Sequence, residues 1–166
     1  MKTLWTPWRI EHVLGTIPKP AGCIFEPEGN ACSDKKQLLF YRDSFVVVLL
    51  NRFPYSNGHL LVAPIRHVAC LTELSQQESA AVIAMIQKST ALLKKHLSPD
   101  GFNIGCNLGP VAGAGISDHI HFHIVPRWNG DHNFISVLAD IRTIPEHIEM
   151  TFDRLCPDFL SLNEKN

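Results

Sequence analysis

The chain has almost no net charge. Its 166 residues carry 15 Lys and Arg against 16 Asp and Glu, a balance of −1. Long-range attraction to nucleic acid or to an anionic membrane surface is therefore not expected, although a locally positive site could still take a small phosphorylated molecule. Long apolar runs are also missing. No stretch has the length and apolarity of a membrane-spanning helix, and the opening Met1-Lys2-Thr3-Leu4-Trp5-Thr6-Pro7-Trp8-Arg9 has no signal-peptide core. Cysteines are few and odd in number, and Cys23, Cys32, Cys70, Cys106 and Cys156 do not space out as a disulfide framework. A reducing cytoplasm is the expected home. Internal repeats and low-complexity tracts are absent as well.

What is present reads as a folded domain. Hydrophobic residues make up 45% of the chain and charged residues 19%, enough apolar side chain for a core. The length fits a single domain over 1–166, with a loop insertion near 26–36 and a tail over 145–166. Two apolar runs, Leu38 to Tyr41 and Phe45 to Leu50, flank Arg42-Asp43-Ser44 as in a tight hairpin. Pro54-Tyr55-Ser56-Asn57-Gly58 reads as a turn before a strand over Leu60 to Ala63.

Ser75-Gln76-Gln77-Glu78 fits a capping box. The helix that follows lines Ile83, Ile86, Thr90, Leu93 and Leu97 along one face and stops near Ser98-Pro99-Asp100-Gly101. Phe102 to Leu108 alternates as a half-buried strand. A glycine-rich loop, Gly109 to Asp118, leads to a strand over His119 to Val125 closed by Pro126, and the tail has helical character broken at Pro157. The order of elements predicts an α+β domain: an antiparallel sheet, one long packed helix and a C-terminal helical segment.

The chemistry concentrates in His119-Ile120-His121-Phe122-His123. Strand side chains alternate, so the three imidazoles share one face, roughly 6–7 Å apart, and Ile120, Phe122 and Ile124 take the other. A lone histidine is usually structural; three aligned on an accessible face opposite a clean apolar one call for a functional reading. The loop sharpens it, because its glycines let backbone amides converge on phosphate oxygens just before the histidines. Neutral imidazole is a good nucleophile toward phosphorus and a good leaving group from it, one ring nitrogen attacking while the other is held by a hydrogen bond. Neighbouring donors stabilise the added charge, and none of these roles needs a metal.

His119 to Val125 matches the His-x-His-x-His-x-x pattern, with x apolar, and the chain resembles the histidine triad superfamily, most closely its bacterial diadenosine tetraphosphate phosphorylase or hydrolase branch. The likeness extends through Leu4 to Arg9, Cys23-Ile24-Phe25, Asn51, Pro54 to Leu60, Gly101 to Gly109, Ala112 to Gly115, Pro126 to Asp131 and Asn133-Phe134. It implies a homodimer with a small-molecule nucleotide cleft on each subunit. It also implies His121 as nucleophile, His119 orienting it and His123 contacting phosphate. Asn51 matches the position that meets the ribose hydroxyls. Asn107 with Gly113, Ala114, Gly115, Ile116 and Ser117 match the phosphate-binding positions. Trp128, Trp5 and Trp8 are candidates to shape a distal nucleotide site, the last two equally for packing. His59, in the matching Gly-His pair, reads as a packed histidine.

One departure concerns metal. Relatives often carry Cys-x-x-Cys, which binds zinc with two histidines; here the segment is Cys23-Ile24-Phe25-Glu26. Two readings stand: a structural zinc on Cys23, Glu26, His67 and His119, or no metal and Cys23 as an ordinary buried cysteine. The function also has competitors. The resemblance implies a nucleotide hydrolase or transferase acting on dinucleoside polyphosphates through a nucleotidyl-histidine on His121, or on adenosine phosphoramidates. Outside it stand a zinc-dependent hydrolase built on the three histidines and a non-catalytic nucleotide sensor.

Overall fold

The computed structural model describes residues 22–27, 29–33, 35–131 and 146–163; Trp5, Trp8 and Asn133-Phe134 lie outside them. The apolar runs become strands β1 (Leu39–Arg42) and β2 (Val46–Leu50). Their hairpin is set by Asp43, whose Oδ1 accepts from the backbone N–H groups of Phe45 and Val46 at 2.8 and 2.7 Å. β3 (Leu60–Pro64), β4 (Gly101–Cys106) and β5 (Phe122–Arg127) complete an antiparallel sheet in the order β1-β2-β3-β5-β4.

Helix α1 (Gln76–Leu97) forms with both halves of the expected capping box. Glu78 also receives Arg66 Nε and Nη2, each at 2.8 Å, and these donors hold its carboxyl down to about 2. The helix start is thereby tied to the segment that carries His67. The buried stripe differs from the expected one. Val82, Met85, Ile86, Ser89 and Leu93 face the core, whereas Ile83 is exposed. The spacing gave the right period but an arc rotated by one position, because Val82 and Met85 serve the pattern as well as Ile83 does.

Helix α2 (Ile148–Asn163) runs through Pro157 instead of breaking there. Proline costs one helical hydrogen bond, but Phe152 and Phe159 on either side stack on Phe40 of β1 at 4.8 and 4.7 Å. Two further expectations shift. β5 starts at Phe122, not His119, and it passes through Pro126. Pairing with β3 ends at Ile124, so Pro126 meets only Phe102 of β4 and its missing N–H leaves no gap in a central ladder. Cys32 and Cys156 form a disulfide, with Cα atoms 5.7 Å apart. Their sequence separation of 124 hides the pairing from any spacing argument, and the bond runs against a persistently reducing home.

The sheet has two different faces. α1 and α2 cover one, over Val46, Val48, Leu50, Leu60, Val62 and Ile124. The opposite face gathers Leu39, Val47, Leu49, Leu61 and Ala63 around Phe25. His123 is in register with Leu61 and Gly105, so its imidazole belongs to this second face. Gly58 lets the turn before β3 close on α1. Its φ is +72°, and a Cβ there would meet Leu97 Cδ1 at 2.4 Å. Among the described residues, no helix is long and apolar enough to cross a membrane.

Candidate active site

The sequence placed three imidazoles on one open face. The structure brings them to that side of the sheet but buries the first two: His119 is 0% exposed and His121 5%. The cover is Phe25, whose ring lies 5.0 Å from His119 and 4.9 Å from His121. Because His119 to His121 lie ahead of β5, the rings depart from regular strand spacing, and the His121 and His123 centroids are 5.0 Å apart.

Each hydrogen bond here decides where a proton sits. His121 Nδ1 lies 2.9 Å from the backbone oxygen of His119. A carbonyl only accepts, so Nδ1 carries the proton and Nε2 keeps a lone pair. It is the carbonyl of His119, not its ring, that orients His121. The His119 ring points elsewhere: Nε2 donates to Pro64 O at 2.9 Å, leaving Nδ1 unprotonated beside Cys23 Sγ at 3.2 Å. Burial lowers the pKa of both imidazoles, so both favour the neutral form.

A fourth imidazole completes the set, and sequence reasoning passed it over as packing. His59 is fully buried. The Tyr55 N–H donates to its Nδ1 at 3.1 Å, so the proton of His59 resides on Nε2, which donates to His123 Nδ1 at 2.9 Å. That fixes His123 as the Nε2-protonated tautomer. Burial, and to a lesser extent His121, push the His123 pKa down to about 4. Asn51 joins the group: its Oδ1 accepts from Phe53 N–H at 2.9 Å and its Nδ2 lies 3.2 Å from His59 Nδ1. The available signal was the spacing Asn51-x7-His59, which puts both residues at the ends of one turn closed by Asn51 N to His59 O at 2.9 Å.

The glycine-rich loop folds as a tight turn in which the amides of Ala112, Gly113 and Ala114 donate to carbonyls of the loop itself. Gly109 and Gly113 adopt φ of +81° and +87°, on either side of a short 3-10 turn over Pro110–Ala112. Ala114 N donates to Gly109 O at 3.3 Å, and Asn107 Nδ2 to Gly113 O at 3.2 Å. Gly113, Gly115 and Ser117 are exposed, whereas Ile116 packs against the cluster around Phe25. The loop thus reaches the histidine face through Ile116. Trp128 is not brought to His121; it follows the far end of β5, roughly 20 Å along the strand direction.

The four residues read as metal ligands do converge. Cys23, Glu26, His67 and His119 offer ligand atoms all within 4.8 Å of one another. In a tetrahedral zinc site, bonds of about 2.0–2.3 Å put ligand atoms roughly 3.3–3.8 Å apart, so small side-chain adjustments would suffice. The lone pair on His119 Nδ1 faces the cluster, and His67 Nδ1 lies 3.0 Å from Glu26 Oε1. A thiolate, a carboxylate and two imidazoles are a chemically suitable donor set. Among the described residues, His119, His121 and His123 do not gather as a group of this kind.

The depressed His123 pKa has a consequence for stability. The unfolded imidazole binds a proton near 6.5 and the folded one only near 4, so between these values the unfolded state holds more protons. Stability is expected to fall as pH drops from about 6.5 to about 4. A His123→Asn variant should show a shallower decline in Tm over that window, and an unchanged slope would remove His123 as its source.

Known proteins resemble this chain in sequence and in fold. A family model described as HIT domain matches residues 33–130. The chain is 37% identical, over 91% of its own length and 80% of the relative's, to a protein of Mycobacterium tuberculosis named AP-4-A phosphorylase. It is 35% identical, over 52% of its length and 61% of the relative's, to the adenosine 5'-monophosphoramidase of Schizosaccharomyces pombe. A zinc-bound histidine triad family protein from Mycobacterium smegmatis superposes with a TM-score of 0.62 at 28% identity, covering 86% of this chain and 94% of the other. By sequence, fold and the arrangement of its imidazoles, the chain belongs to the histidine triad family.

Proposed function

We propose that this enzyme cleaves dinucleoside polyphosphates of the diadenosine tetraphosphate type through a nucleotidyl intermediate on His121. The observation that carries the reading is the tautomer of His121: neutral, Nδ1–H held by the His119 carbonyl, Nε2 lone pair available. Nε2 attacks the α-phosphorus, a P–N bond forms, and the bond to the bridging oxygen breaks. The Nε2–H of His123 donates to the phosphate, where it offsets charge on the oxygen that departs. Asn51 receives the ribose hydroxyls, and Asn107 with Gly113, Ala114, Gly115, Ile116 and Ser117 receives the phosphates. Water or inorganic phosphate then attacks the phosphorus and releases His121.

The whole chain acts as one domain of a homodimer. β4 is an edge of the described sheet, and its Ile104 is 47% exposed, with Leu108 and Val111 exposed just beyond. An unprotected apolar edge of this kind pairs readily with a second copy. Zinc, when bound to Cys23, Glu26, His67 and His119, would brace the residue whose carbonyl orients His121. That role is structural, and the chemistry requires no cofactor. The three histidines do not gather as a metal-ligand group among the described residues, so a catalytic metal on them is not favoured.

Four measurements test these statements. Diadenosine tetraphosphate, incubated with and without inorganic phosphate, should give ADP plus ATP only with phosphate if phosphate is the acceptor, or AMP plus ATP if water is. His121→Asn should lower turnover at least about a thousandfold while keeping the fold; full turnover in that variant would end the assignment. Metal analysis of protein grown with zinc should find about one equivalent, lost in Cys23→Ser; equal metal in both proteins would reject the site. Ile104→Lys should shift sedimentation from dimer to monomer, and a monomeric parent chain would refute the proposed pairing.

A further inference from the structure

Helix α2 carries none of the imidazoles, yet it is fastened at two places to segments that serve them. At one, Cys156 is disulfide-bonded to Cys32 in the loop before β1. One turn earlier, Asp153 pairs with Lys35 of the same region at 2.6 Å. At the other, Thr151 is 1% exposed, and its hydroxyl lies 2.9 Å from Asn57 Oδ1 and 2.7 Å from Glu146 Oε2. Asn57 Nδ2 donates to Glu146 at 3.3 Å, and Arg154 pairs with Glu146.

Asn57 belongs to the turn whose Tyr55 N–H fixes the proton on His59. A cavity of about 10 Å³ separates Leu50, Pro54 and Gly58 from Ile148 and Thr151, roughly the space that one water needs. The turn, closed on α1 at Gly58, thus meets α2 across this small cavity through the polar contact of Thr151.

We propose that Cys32–Cys156 is a reversible thiol–disulfide couple that sets how firmly the nucleotide cleft is held, with Thr151 and Asn57 as the positioning residues that transmit its state to His59 and His123. Cys32 is partly exposed and Cys156 buried, so a reducing dithiol attacks Cys32 Sγ. Cys156 leaves as thiolate and takes up a proton. The second thiol of the reductant then displaces Cys32, and two electrons and two protons have passed to the protein while the dithiol becomes a disulfide. Glutathione disulfide drives the reverse.

The affinity readout rests on the nucleotide reading of the cleft, so the test includes one that does not. The full chain is equilibrated in glutathione buffers of defined potential, and thiols are counted by alkylation after denaturation. One two-electron transition should raise the count from the three free cysteines, Cys23, Cys70 and Cys106, to all five. Oxidised and dithiothreitol-reduced protein are then compared for Tm, AMP affinity and amide hydrogen exchange over residues 54–59. Reduction should lower Tm by at least about 5 °C, weaken AMP about three- to tenfold and speed exchange in the turn.

Cys156→Ser should hold the reduced values whatever the buffer. Thr151→Val should keep the Tm response but lose the redox response of affinity and exchange. Five reactive thiols at every potential would refute the couple. Full reduction with unchanged AMP affinity and unchanged exchange over 54–59 would refute the coupling. Should AMP bind neither form, the nucleotide reading is what fails, and exchange over 54–59 decides the coupling alone.

Discussion

Burial lowers the pKa of His119, His121 and His123 and so favours their neutral forms, and a neutral imidazole has one proton to allot between two nitrogens. The backbone makes that allotment. The His119 carbonyl takes the proton side of His121, the Pro64 carbonyl takes that of His119, and the Tyr55 amide forces the proton of His59 outward to His123. Three main-chain groups thus define four rings, and main-chain groups cannot titrate or change rotamer. The sheet, the turn before β3 and the burial beneath Phe25 all serve to hold those groups in range.

The same logic separates the strand-borne His123 from the glycine-rich loop. His123 is carried by a strand paired on both sides. The glycine-rich loop, by contrast, needs positive φ at Gly109 and Gly113 and leaves much of its length exposed. The strand fixes His123, His121 lies just ahead of it, and the loop carries the backbone freedom. The Cys23 cluster meets His119 at Nδ1, with Glu26 and His67 exposed, whereas His121 is held through the His119 carbonyl, which suits a bracing role for any ion held there.

Much of this was legible in the sequence. The histidine motif, the capping box at Ser75, the hairpin at Asp43 and the convergence of Cys23, Glu26, His67 and His119 follow from local spacing or from family resemblance. What escaped depends on long-range contact. His59 looks like any buried histidine until its distance to His123 is known. The Cys32–Cys156 bond joins residues 124 positions apart. Pro157 breaks an isolated helix but not one stacked on Phe40. Ile83 and Val82 compete for one helical arc, and only the sheet beneath decides between them.

The register of β5 also sets a rule for chain length. Side chains along a strand alternate with period two, so losing or gaining one residue between Phe122 and Ile124 would exchange the faces of His123 and Phe122 and put an imidazole under the helices. Before His119, the exposed glycine-rich loop can absorb an added or missing residue without rotating anything. An inserted or missing residue within β5 is therefore tolerated only where a bulge restores the register, as between Leu39 and Tyr41 in β1.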